Sequence, residues 1–291
     1  KTANEIPLRL VGSEMCIRDR YYNYGIHRSV TGPSFEKSFL KVKGSSNLTP
    51  RFYVSASGSS GTLAAGDYLK DKLQTKIAVV EALECPTLLH GGYGEHNIQG
   101  IGDKHVPLIH NVMNTDFVVD VSDQATNNLN MIFNTEIGKN FLIEKKNFDP
   151  DFVSRLPEFG FSAIANILAS IKLAKYMDLN SDDAIITVAT DGADLYMSEL
   201  NKTIADFKNN YDEIVCAELF GQHLSGVSTD NMLELSHMDK KRIFNLGYFT
   251  WVEQQGVSLE EFEKRKDQKF WNSHYDYMLS LDNQIKEFNN M

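Results

Sequence analysis

The sequence predicts an α/β protein: a three-layer parallel sheet with helices on both faces, followed by a helical C-terminal extension. Three observations carry that expectation. Short apolar strands alternate with helical stretches from about residue 50 onward. A Gly/Ser-rich turn joins the first such strand to its helix, and past residue 211 the pattern becomes helical, charged and aromatic. Brief buried strands separated by helices mark a parallel sheet covered on both sides.

In order, residues 51–57 read as a buried strand and 61–73 as a helix. Residues 76–82 form the second strand, with Ile77, Val79 and Val80, and residues 116–121 the third, with Phe117, Val118 and Val119. A helix runs from 123 to about 137. Another over 162–177 places Ile164, Leu168 and Ile171 on one stripe, with alanines that allow close approach to the sheet. The fourth strand, 184–190, carries Ile185, Ile186 and Val188. Between strands two and three lies a long connection rich in Gly and His, and connections of that length are functional or mobile. Past residue 211, the aromatic stretch 240–255 reads as a packing or dimer helix, with a substrate-shaping lid as the alternative. The expected organisation is therefore an α/β domain over 21–211 and a helical extension over 212–291.

Composition narrows the function. The 291 residues carry a net charge of −10 and no Lys/Arg cluster, which argues against a nucleic-acid groove. No apolar run is long enough to span a membrane. Cys16, Cys85 and Cys216 stand apart, without metal-ligand spacing, which fits a reduced, cytoplasmic setting. His90, His96, His105 and His110 cluster in sequence but not in a metal-binding pattern, so no metal is expected. Residues 1–20 are set apart as non-native, because the run Leu10 to Arg20 resembles translated sequencing-adapter read-through. The alternative is a genuine short helix or tail.

The stretch Ser55-Ala56-Ser57-Gly58-Ser59-Ser60-Gly61-Thr62 is the most informative. Small residues at a strand-to-helix turn leave backbone N–H groups uncovered, and a helix's first turn has about four without internal partners. With the helix dipole, those donors suit a phosphate dianion. A Gly/Ser turn that binds nothing is the plain alternative.

Several blocks, in order, resemble the tryptophan-synthase-β type of pyridoxal-phosphate enzyme, closest to the cysteine synthase and cystathionine β-synthase branch. Asn23 with Thr31-Gly32-Pro33-Ser34-Phe35-Glu36 resembles the segment before the phosphate loop, and Gly58-Ser59-Ser60-Gly61-Thr62 the loop itself. Val79-Val80-Glu81, then His96-Asn97-Ile98-Gln99-Gly100-Ile101-Gly102 with Pro107, resembles the strand and turn beside the cofactor. Phe161-Ser162-Ala163-Ile164-Ala165 and Asp191 to Tyr196-Met197 resemble the last blocks.

The resemblance implies pyridoxal 5'-phosphate as cofactor, its phosphate held by the main chain of Gly58, Ser59, Ser60, Gly61 and Thr62 and by the Thr62 hydroxyl. It implies that Gly100, Ile101 and Gly102 lie along the ring. The family's Ser or Thr at the pyridine nitrogen falls on Gly192, with Thr190 as substitute; a carboxylate there, Asp191, would protonate the nitrogen. The implied chemistry is β-replacement or β-elimination on a small amino acid, in a homodimer. Ser/Thr deamination and a non-catalytic phosphate-binding remnant are the alternatives. The family's cofactor-bearing Lys block has no counterpart here. Lys41 and Lys43 read as surface charges, and a truncated, inactive fragment is the expectation.

Overall fold

The computed structural model describes residues 14–102, 104–208 and 210–290, with side chains from Arg20 onward. Residues 1–13 of the stretch set apart as non-native lie outside the described residues; residues 14–20 begin a helix.

Helix α1 (Glu14–Ile26) runs through one π-helical turn (His27–Thr31) into α2 (Gly32–Lys43), which starts on Pro33 in its first turn. Strand β1 (Thr49–Ala56) leads into α3 (Leu63–Leu73), which ends on Gln74 in a left-handed conformation. β2 (Lys76–Ala82) and β3 (Phe117–Val121) follow, then α4 (Asp123–Asn134), capped by the Ser122 hydroxyl accepting from the Gln124 amide. α5 (Glu136–Glu144), α6 (Phe161–Tyr176), β4 (Asp183–Thr187), α7 (Met197–Asp206) and α8 (Glu213–Phe220) come next. The chain closes with β5 (Met232–Glu234), α9 (His237–Leu246) and α10 (Gln268–Asn289).

The sheet order is β4-β1-β2-β3-β5. The four expected strands pair in parallel, and β5 adds an antiparallel edge through Met232, Leu233 and Glu234 opposite Val119, Val118 and Phe117. The stretch past 211 is therefore helical apart from one strand that joins the same sheet. Lys172, on α6, helps fix that edge by donating to the carbonyls of Asp120 at 2.8 Å and Asp230 at 2.7 Å. One apolar core joins β1–β3 to α4–α6 and includes Phe52, Val80, Phe117, Leu129 and Leu168. Another joins the opposite face to α1 and the C-terminal helices through Ile77, Val79, Val118, Phe244 and Trp271, and a small third one gathers Tyr53, Ala65, Tyr68 and Leu69. β4 stops at Thr187, three residues short of the expected strand, and the chain from Val188 to Thr190 turns out of the sheet.

Glu81 and Asp120 lie opposite each other in the β2–β3 register. Glu81 accepts the amides of Leu88 and Leu89, at 2.9–3.0 Å. Asp120 is 1% exposed, and burial, reinforced by the Glu81 charge, pushes its carboxyl up to about 9 from an ordinary 3.8. Such a group stays protonated in the fold while the unfolded chain ionises. Its contribution to stability is present below about pH 4 and is lost as pH climbs toward 9. Asp120→Asn should accordingly raise stability near pH 8 by about 1 kcal/mol or more. It should also flatten the pH dependence between about pH 4 and 9, followed by urea denaturation. A variant no more stable than its parent near pH 8 would show that this ionisation costs the fold nothing.

Candidate functional site

β1 ends at the carboxyl edge of the sheet, where open parallel sheets collect ligands, and the Gly58 turn begins there. Among the described residues, none of the amides of Gly58, Ser59, Ser60, Gly61 and Thr62 has a hydrogen-bond partner within the protein. The turn's shape accounts for this. Ser60 takes a left-handed φ of 67°, which breaks any continuous ladder, and its hydroxyl pairs with that of Ser57 at 2.9 Å. Successive amides in such a bend form an anion-binding concavity.

A second turn closes over the first. Gly102 donates its amide to the Ser57 carbonyl at 2.7 Å, and both Gly100 and Gly102 have positive φ, 81° and 87°. The approach is tight enough that a Cβ on Gly58 would lie 2.9 Å from the Gly100 oxygen. Gly61 has no more room: its Cβ would lie 2.7 Å from Asn23 Nδ2 and 2.8 Å from the His27 ring. At Gly58 the obstacle is backbone, so glycine is required there by its neighbours rather than by torsion; at Gly61 the obstacles are side chains that would have to shift.

Two adjoining cavities result. One, of about 130 Å³, is lined by Gly58, Ser59, Ser60, Gly61, Thr62, Gly100 and Ile101, and on the other side by His27, Ser162, Asn166, Val188 and Thr190. The other, about 350 Å³, shares Gly58, Ser59, Gly100 and Ile101 and reaches Gly102, His105 and Pro107. Among the described residues, no lysine lines either cavity.

Nine of the ten sequence-derived site residues line these cavities. Gly192 does not; its Cα faces Asp194 and the Pro157 carbonyl. Thr190 is at the cavity wall, its hydroxyl 3.0 Å from that of Ser162. The Thr62 hydroxyl lies 2.7 Å from that of Ser55, and the loop's amides face the cavity beside it as open donors. Asp191 lies outside the lining, and one of its carboxylate oxygens accepts from the Tyr196 hydroxyl.

Three polar residues at the wall were not singled out as site residues: His27, Ser162 and Asn166. His27 holds Thr31 Oγ1 at 3.0 Å, and partial burial lowers its pKa. Asn166 is 1% exposed and sits one turn past Ser162 on α6. An amide in an otherwise Ala/Ile/Leu stripe was the available signal. Partnerless amides, a small enclosed hollow and glycines without room for a Cβ fit a compact phosphate better than an extended chain.

No protein-family model matches the sequence. Cysteine synthase B of Campylobacter jejuni is 31% identical over 199 residues, which cover 67% of this chain and 57% of that enzyme. The chain resembles the cysteine synthases. Its fold is that of their superfamily, the tryptophan-synthase-β-like pyridoxal-phosphate enzymes. A solved hydrogen sulfide-producing enzyme from Fusobacterium nucleatum shares the architecture, with a TM-score of 0.51 and 22% identity. That match covers 74% of this chain and 55% of the solved one. The chain thus spans a little over half the length of these cysteine synthase-like proteins.

Proposed function

We propose that this chain forms the phosphate-holding and ring-facing part of a pyridoxal 5'-phosphate site. The protein's reaction on this reading is β-replacement or β-elimination on a small amino acid, as in cysteine synthase. The observation that carries it is the row of partnerless amides from Gly58 to Thr62, facing a hollow roofed by Gly100 and Ile101. The cofactor supplies an electron-withdrawing ring for breaking bonds at the amino acid's α and β carbons. The chain's own residues bind and orient. The loop amides hold the phosphate, the Gly100–Gly102 backbone leaves space for a flat ring, and Ser162, Asn166 and Thr190 form the polar far wall. The domain from 21 to 211 holds the cofactor, while the segment from 212 to 291 braces it. A homodimer in the cytoplasm, acting on a small amino acid, belongs to the same reading.

A second reading has its own observation: with no lysine at the lining among the described residues, this stretch binds the cofactor without supplying the amine that would anchor it. Titration with pyridoxal 5'-phosphate, with inorganic phosphate as competitor, tests both. Saturable binding that phosphate reverses is the expected result. Absence of binding by either compound would remove the proposal. If the cofactor binds but its absorption stays constant when a β-substituted alanine is added to the protein, binding without turnover is the correct reading.

A further inference from the structure

Among the described residues that line the two cavities, Asn166 is the side chain with a buried polar atom left unpartnered. Its Nδ2 donates to the Val188 carbonyl at 2.9 Å, and that bond fixes the amide's orientation, since a carbonyl can only accept. Oδ1 is then left buried with no partner, in a residue 1% exposed that lines the cavity wall. A buried acceptor without a donor is a standing cost to the fold, and an arriving N–H relieves it.

Of the other groups nearby, His27 Nδ1 pairs with Thr31, and Asp191, whose Oδ1 is also buried without a partner, lies behind the lining. The Ser162 and Thr190 hydroxyls pair with each other, and the second oxygen of Asp191 is held by Tyr196. We propose that Asn166 Oδ1 accepts a hydrogen bond from the ring nitrogen of a bound pyridoxal phosphate, and so selects the protonated ring. An amide oxygen has no proton to give, so it discriminates against the neutral nitrogen, which needs a donor. The Ser162–Thr190 pair retains one hydroxyl hydrogen and is the competing partner: it would favour the neutral ring. This inference rests on the pyridoxal-phosphate reading above.

The test uses 4-deoxypyridoxine 5'-phosphate, which has the ring and the phosphate but no aldehyde, so that binding requires no lysine. Affinity is measured by calorimetry, and ring-nitrogen protonation by near-ultraviolet absorption across pH. Asn166→Ala should weaken the probe about tenfold, leave inorganic phosphate affinity unchanged, and lower the pH at which the bound ring loses its nitrogen proton. Asn166→Asp, which keeps an acceptor and adds charge, should raise that pH. Opposite movements cannot come from loosened packing alone. Equal affinity and an unshifted titration in both variants would overturn the assignment, as would a shift confined to Thr190→Val. If the unmodified protein binds inorganic phosphate but not the probe, the pyridoxal reading itself falls. If it binds neither, the phosphate loop falls as well.

Discussion

Gly58→Ala should cost roughly tenfold to a hundredfold in affinity for pyridoxal 5'-phosphate, the equivalent of losing one charge-assisted hydrogen bond. The new Cβ would arrive 2.9 Å from the Gly100 oxygen, which is backbone and cannot swing aside as a side chain would. One of the two turns must retreat. Retreat of the second stretches the bond from Gly102 N to Ser57 O, and retreat of the first rotates the loop amides away from the hollow. Overpacking of this kind costs about 1–3 kcal/mol of stability as well. Gly221→Ala is the matched control, because its Cβ would meet nothing within 4 Å. Calorimetric titration of both variants measures the difference. Equal affinities would mean that contact between the two turns does not set the loop's shape.

The sheet was legible because its strands announce themselves chemically. Ile77-Ala78-Val79-Val80 and Phe117-Val118-Val119 are buried on both faces and have no polar alternation to confuse them with surface strands. β5 was not legible. Met232-Leu233-Glu234 is three residues long, and what places it is backbone pairing with β3, which leaves no periodic trace. β4 appeared too long because Val188 is apolar, yet its carbonyl is used by Asn166 instead of a neighbouring strand.

The site divides along similar lines. The loop Gly58 to Thr62 is one contiguous motif, so its chemistry can be read from its order. The far wall is assembled from residues 27, 162, 166 and 190, which meet only after the π-helical turn and α6 have packed around the end of the sheet. In the sequence Asn166 is an isolated amide within a core stripe, and His27 one histidine among eight. Pairing is equally invisible in the sequence: the hydroxyls of Thr62 and Ser60 meet those of Ser55 and Ser57.

Trp251→Ala should destabilise the protein by about 3–5 kcal/mol and loosen the loop that roofs the site. The C-terminal segment, expected as a packing helix, holds the connection between β2 and β3 by its carbonyls. Arg242 donates to those of Leu88 and Leu89 at 2.9 and 3.0 Å, Trp251 Nε1 to Val106 at 2.7 Å, and Arg265 to Leu108 at 2.6 Å. The indole also meets the His105 ring edge-on, with 5.2 Å between centroids. A long loop with few strand contacts is thereby held at successive points, and the Gly100–Gly102 turn lies between two of them. Trp251→Phe keeps most of the packing but leaves the Val106 carbonyl unpaired, at an expected cost of about 1–3 kcal/mol. Hydrogen exchange separates this role from general stability. Leu142→Ala, in the opposite core cluster and of similar expected cost, should speed exchange only through global unfolding. Trp251→Ala should in addition speed it locally over residues 98–110 and weaken cofactor binding. If the two variants show the same exchange pattern at matched stability, the C-terminal segment contributes packing and does not hold the roof of the cavity.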